Sequence, residues 1–208
     1  MIRFRVDMAP LLPQIDAMQR GVSAMMLNSI PRNDPATRLP TNGDEAVGFA
    51  FGTSSLGQVL VAATGTGVCA ILIGSNRERL IADLRQSFPQ AQPSGNDELA
   101  RHIVQVVAMI ETPAKAPDLP LDLNGSDFEI KVWQALRAIP AGKTMSYSEL
   151  AEHIGMKGAA KDVGEACAAN RIAIAIPCHR ILRKDGSISG YRWGVHRKRA
   201  LLEREGVL

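Results

Sequence analysis

Cys178 sits between Pro177 and His179, with Arg180 next, in the stretch AIPCHRIL over residues 175–182. A thiol in that company has three readings: a nucleophile, a metal ligand, or a buried small hydrophobe. Only the thiolate is a good nucleophile, and a free thiol titrates near pH ~8.5, so a neighbouring imidazole and positive charge favour the reactive form. The metal reading is poor. There is no CxxC, and the four histidines (His102, His153, His179, His196) are scattered, so zinc-ligand spacing is missing and no metal is expected. A cysteine-protease reading needs a histidine brought in through space, because an adjacent side chain points elsewhere on an extended backbone. The three cysteines, Cys69, Cys167 and Cys178, are too few and odd in number for a disulfide framework, which fits a reducing cytoplasm. Cys69 lies in an apolar strand pattern. Cys167 lies on the apolar side of a helical one with Ala160 and Val163, and both read as buried hydrophobes.

Those residues need elements to position them. Ile172, Ile174 and Ile176 alternate with alanines, and Pro177 holds Ile176 extended, so the pattern predicts a stiff, buried, extended segment that ends at Cys178. Upstream, Ser146-x-x-Glu149 is a capping box that opens a helix over 146–154, and Gly155 stops it. A second helix follows over 159–169. Two short helices around a glycine-containing turn make a helix-turn-helix pattern. A helix over 127–138 puts Phe128, Val132, Trp133 and Leu136 on one face. Trp133 and Trp193 read as packing residues. The stretch RWGVHRKRALLERE reads as a basic amphipathic helix with a solvated face.

The rest of the chain reads as a frame. Residues 1–45 are rich in Pro, Asn, Asp and Thr towards their end and read as an appendage and linker. Residues 46–120 read as a small α/β domain. The runs VLVAAT and GVCAILIG are strands joined by a TGTG hairpin turn. Helices are predicted over 77–88 and 98–110, and PLDLNG suggests a last strand. TPAKAPDLP is a Pro-rich crossing, and residues 121–208 are mainly helical. The fold class is therefore α+β. Apolar content is 46% and charged content 22% in 208 residues, as in ordinary globular proteins. The net charge of +3 leans towards polyanions. No apolar run approaches the ~18 residues of a membrane span, and the N-terminus has no signal-peptide pattern.

The flanks of Cys178 carry a family resemblance. IPCHRIL, with SYSELA and ACAAN upstream and SGYRWGVHRKRALLEREG downstream, strongly resembles the O6-alkylguanine-DNA alkyltransferases of the Ada/Ogt type, the methylated-DNA–protein-cysteine methyltransferases. The match runs over about residues 126–206, and residues 49–125 look like that family's variable N-terminal domain. The resemblance implies an RNase H-like N-terminal domain and a helical C-terminal domain with a helix-turn-helix. It implies a partner, double-stranded DNA carrying O6-alkylguanine, and no cofactor, no membrane and a monomer. The alkyl group on O6 of guanine, or O4 of thymine, would pass irreversibly to Cys178 from a base flipped out of the duplex. Carried over by position, His179 would activate Cys178 through a water and Glu205 would orient His179. Tyr147 would hydrogen-bond the flipped guanine, Ser189 would contact O6, and Asn170 would hold the turn before the active site. Lys161, with Ala160 and Gly164 beside it in the recognition helix, and Arg180 would face DNA.

One stretch departs from the family. In GAAKDVGEACAAN, Lys161 stands where an arginine finger is expected, followed by Asp162, with Glu165 one turn on. Lysine lacks the planar, multi-donor head that fills the space of an extruded base. Carboxylates near phosphate oppose binding, and Lys161 and Glu165 are spaced to pair on one helix face. A second reading therefore stands beside DNA repair: an alkyl acceptor with weakened duplex binding, supplied by a small molecule or serving as an alkylation sensor. A lesion binder without chemistry is disfavoured, since it has no use for the Cys178, His179, Glu205 and Tyr147 set.

Overall fold

The computed structural model describes residues 46–113 and 117–208, and the appendage expected over 1–45 lies outside them. Strands β1 (Gly48–Ser54), β2 (Gly57–Ala63) and β3 (Val68–Gly74) form an antiparallel meander. The short β4 (Gln92–Pro93) pairs parallel to β1, giving the order β3-β2-β1-β4. Val59–Ala62 and Val68–Ile73 are buried throughout, as in strands covered on both faces, whose sequences read as continuous apolar runs.

Helices α1 (Arg77–Ser87) and α2 (Asp97–Glu111) pack on this sheet. Asn76 and Asn96 cap them: their side-chain oxygens accept the Arg79 and Leu99 N–H groups, each at 2.8 Å. These caps satisfy donors that a helix start leaves unpaired. Leu80 and Leu84 of α1, and Leu99, Val106 and Ile110 of α2, are buried.

The outer edge of β3 holds two later segments. The Val68 N–H donates to the Pro120 carbonyl and the Asp122 N–H donates to the Val68 carbonyl, both at 2.9 Å. PLDLNG thus supplies one bridge, Val68 to Leu121, rather than the strand its pattern suggests. Ser126 caps the next helix a few residues later, so no ladder can extend. Further along the same edge, the Ile71 N–H donates to Arg171 O (2.9 Å) and the Ala173 N–H to Ile71 O (3.0 Å). That second bridge anchors the chain that runs to Cys178, and it covers a strand edge that would otherwise be open.

The remaining elements surround the thiol. Helix α3 (Asp127–Ala138) buries Val132, Trp133 and Leu136, and the Trp133 indole donates to Ala166 O at 2.8 Å. Strand β5 (Met145–Ser146) leads into α4 (Tyr147–His153). Helix α5 (Ala160–Ala169) follows a turn in which Gly155 (φ 74°) and Gly158 (φ 93°) are left-handed, a conformation that favours glycine. A single 3-10 turn, Cys178–Arg180, precedes β6 (Ile181–Leu182), which pairs parallel to β5. Helix α6 (Val195–Arg204) ends the fold.

Helix α6 is more than the solvated face its composition suggests. Lys198, Leu201 and Leu202 are buried. Arg197 donates to Leu56 O (2.9 Å), and Arg204 donates to Ser55 Oγ (2.7 Å) and Ile110 O (3.1 Å). These bonds tie the helix to the β1–β2 turn and to the end of α2. The coarse expectation of a mixed α+β fold with a small sheet and several helices holds. Among the described residues no helix is long and apolar enough to cross a membrane.

Candidate active site

The segment before Cys178 is not extended. Residues 172–176 are buried on every side, so the alternation of isoleucine and alanine marks no exposed face and carries no strand signal. The chain instead folds into consecutive turns: Ala175 N–H to Ala173 O (2.7 Å), Ile176 N–H to Ile172 O (3.2 Å) and Cys178 N–H to Ile176 O (2.8 Å). Ile174 lies at φ 68°, an unfavourable region for a β-branched residue that persists only where its surroundings fix it. Asn170 supplies that constraint. Fully buried, it accepts the Ile172 N–H at 2.8 Å and donates Nδ2 to Ile176 O at 3.0 Å. The same Nδ2 lies 3.4 Å from Cys178 Sγ. One side chain therefore shapes the loop and touches the sulfur.

Cys178 is buried, and burial pushes its thiol above the ordinary range, opposed by the Asn170 hydrogen bond and the Lys198 charge. The resting group is a neutral thiol, which corrects the expectation that its neighbours alone favour the thiolate. Burial likewise lowers the His179 pKa against the pull of Glu205, so the imidazole is neutral. Its Nε2 lies 2.9 Å from Glu205 Oε1, with both side chains 1% exposed. A carboxylate accepts only, so Nε2 carries the proton and Nδ1 the lone pair. Nδ1 is buried with no hydrogen-bond partner among the described residues. The Tyr191 ring backs His179 edge-on at 6.4 Å, and Trp193 meets Tyr191 edge-on at 5.1 Å.

Glu205 also holds Arg180. Arg180 Nε and Nη2 donate to its carboxylate at 2.8–3.1 Å, and Nη1 donates to Ile139 O. Burial alone would raise the Glu205 carboxyl, but the hydrogen bonds from His179 and Arg180 and the Arg180 charge hold it at about 2. Arg180 is thereby corrected as a DNA-facing residue. Its guanidinium is turned inward, 12% exposed, and serves the Glu205 anion.

On the other side of the sulfur, the capping box places a tyrosine. Ser146 N–H donates to the Glu149 carboxylate (2.7 Å) and Glu149 N–H to Ser146 Oγ (3.2 Å), which makes Tyr147 the first residue of α4. The β5–β6 pairing sets Ser146 opposite Leu182, just after the CHR turn. Tyr147 Oη and Ser189 Oγ are 2.8 Å apart. Lys198, fully buried, donates Nζ to Ser189 Oγ at 2.7 Å and to Ile181 O.

Sequence reasoning missed Lys198. The available signal was its place three and four residues before the buried Leu201 and Leu202, where a lysine interrupts an apolar stripe. Burial lowers its pKa to about 8. The Lys198 cation in turn favours the Cys178 thiolate. We therefore expect the rate of modification of Cys178 to fall above about pH 8, where Lys198 loses its charge. A simple thiol titration would give a rise. Lys198→Met should remove this falling limb and lower the plateau about tenfold or more; a stopped-flow pH profile checks both.

Beside Tyr147 opens a groove of about 420 Å³, lined by Ser146, Tyr147, Ala160, Lys161, Gly164 and the Arg183–Lys184 pair, among others. The expected recognition residues Ala160, Lys161 and Gly164 all reach it. Lys161 is exposed, and its Nζ lies 3.7 Å from Glu165. Arg183 and Lys184 were not singled out by the sequence reading.

Fold and site define a mixed α+β protein with a buried thiol, a histidine–glutamate pair and an adjoining cationic groove. Residues 127–207 match the family described as 6-O-methylguanine DNA methyltransferase, DNA binding domain. The chain is 48% identical over 161 residues to the bifunctional transcriptional activator/DNA repair enzyme Ada of Escherichia coli, covering 77% of this chain and 46% of that protein. It is 53% identical over 88 residues to the methylated-DNA–protein-cysteine methyltransferase of Mycobacterium bovis, covering 42% of this chain and 53% of that one. A solved structure of Mycobacterium tuberculosis OGT in complex with DNA aligns with a TM-score of 0.65 at 34% identity, covering 76% of this chain and 92% of that one. The chain belongs to the O6-methylguanine-DNA methyltransferase family. It spans about half the length of the curated relatives it matches first.

Proposed function

We propose that the protein repairs DNA by moving an alkyl group from O6 of guanine, or O4 of thymine, onto Cys178, once per molecule. The observation that carries this reading is the Glu205–His179 pair at 2.9 Å. It leaves the basic nitrogen of the adjacent histidine without a hydrogen-bond partner among the described residues, and a water there would link it to the thiol. In the reaction the Cys178 proton passes through that water to His179 Nδ1. The thiolate attacks the alkyl carbon, and the carbon–O6 bond breaks with its electron pair on oxygen. The proton held on His179 is given up through water to the departing guanine, so that the thiol proton ends on the base and the imidazole is neutral again. A thioether remains. Nothing in the site can reverse it, so each chain acts once.

In this reading Asn170 and Lys198 stabilise the developing thiolate, while Tyr147 and Ser189 receive the flipped base. Helices α4 and α5 act as a helix-turn-helix with α5 in the groove, supported by their short glycine turn. The sheet with α1 and α2 is an RNase H-like domain over about 46–120, and the acceptor domain spans 121–208. The protein acts as a monomer in a reducing cytoplasm. The relatives are a DNA repair enzyme and a methylated-DNA–protein-cysteine methyltransferase, which favours DNA over a small-molecule donor.

A duplex with one radiolabelled O6-methylguanine tests the proposal. Label should move to protein and stop at one methyl per chain, with none reaching Cys178→Ala. Repeated turnover, or label that stays on the DNA, would overturn it.

A further inference from the structure

We infer that Arg183 and Lys184, in the turn after β6, bind the phosphodiester backbone of the lesion-bearing strand and carry duplex affinity that α5 lacks. This rests on the duplex-repair reading above. The cations around the groove divide by what holds them. Lys161 projects from α5 but pairs with Glu165 at 3.7 Å, and Asp162 is exposed beside it. Arg180 is locked to Glu205 and Ile139 O. Arg192 pairs with Asp83 at 2.7 Å. Arg183 and Lys184 both line the groove and are exposed, and neither forms an ion pair among the described residues.

The turn that presents them is fixed. Arg183 N–H donates to Ser187 O (3.0 Å) and Gly186 N–H to Arg183 O (2.9 Å), with Gly186 at φ 78°. Its one carboxylate is held within the turn: Asp185 Oδ1 accepts from Ser187 N–H at 3.0 Å and from Ser187 Oγ at 2.6 Å, and these bonds, with a smaller contribution from the Arg183 charge, hold its pKa down. The groove thus gathers, with Tyr147 and Gly164, two cations that form no ion pair among the described residues, at the mouth a flipped nucleotide would use. Guanidinium and ammonium groups on a rigid turn suit phosphate oxygens. Such contacts add affinity without base specificity.

The test is duplex binding as a function of salt, on a duplex carrying O6-methylguanine. Each phosphate contact adds about 0.9 to the slope of log affinity against log salt. Arg183→Gln with Lys184→Gln should lower the slope by about 2 and weaken binding roughly tenfold, whereas Lys161→Gln should change the slope by well under 1. Both side chains are exposed, so the melting temperature should not move. On a duplex whose phosphates around the lesion are replaced by uncharged methylphosphonates, wild type and double variant should bind alike. An unchanged slope in the double variant, a loss confined to Lys161→Gln, or a wild type that does not bind duplex would overturn the inference. If wild type binds duplex but transfers no methyl group, the repair reading fails while the salt slopes still decide this one.

Discussion

Glu205→Gln should slow alkyl transfer to Cys178 at least ~100-fold and destabilise the fold by about 3 kcal/mol at neutral pH. Two effects combine. The carboxylate fixes the His179 tautomer, and an amide, which both donates and accepts, does not; a wrong tautomer disables the base. The substitution also leaves the Arg180 guanidinium, 12% exposed, without a counter-charge, and an unpaired buried ion costs several kcal/mol. The pH dependence separates these effects. The Glu205 carboxyl is depressed from its ordinary value of 4.5 to about 2 in the folded protein. Its stabilisation is therefore complete above pH 4.5 and is lost as pH falls through about 2. Denaturant unfolding should show the gap between wild type and Glu205→Gln closing between pH 5 and pH 2. A gap that stays constant over that range would show that the carboxylate charge is not what holds the pair together.

Asn170→Ala should lower the transfer rate about 100-fold and stability by about 3 kcal/mol. The side chain is fully buried and binds Ile172 N–H, Ile176 O and Cys178 Sγ. Removing it leaves the Ile172 N–H unsatisfied in the interior, at ~1–3 kcal/mol, takes from Ile176 O one of its two donors, the other being the Cys178 N–H, and opens a cavity beside the sulfur. It also frees Ile174 from φ 68°, so the loop should relax and carry the sulfur away from His179. Hydrogen exchange should show the loss of protection confined to the 170–178 loop at first. Wild-type transfer kinetics in this variant would mean that the loop holds the thiol without Asn170.

How much of this was legible beforehand depended on whether local signals or long-range ones decided each residue. The Ser146–Glu149 capping box was legible because both partners lie within one helical turn, and it places Tyr147. The helix over 127–138 was legible from its apolar face. The segment 172–176 was misread because alternation implies one buried face only when the other is wet, and here both are covered. The side chain of Asn170 and the edge of β3, a hundred residues upstream at Ile71, set its shape. Arg180 and the Arg183–Lys184 pair look equally cationic in sequence, but only the fold puts Glu205 beside the first of them. Lys198 was hidden for the same reason: its acceptors, Ile181 O and Ser189 Oγ, come from a turn that the sequence does not bring close. The motif flanks carried the site through resemblance, while the charge states came from burial.

The central claim is that Cys178 accepts the alkyl group from DNA. Peptide mass spectrometry after incubation with a duplex carrying a single O6-methylguanine tests it most directly. The account predicts a Cys178 peptide heavier by one CH2, stoichiometric with the lesion lost from the DNA, and unmodified peptides for Cys69 and Cys167. A methyl group on either of those cysteines, or a repaired duplex with an unmodified Cys178, would contradict it.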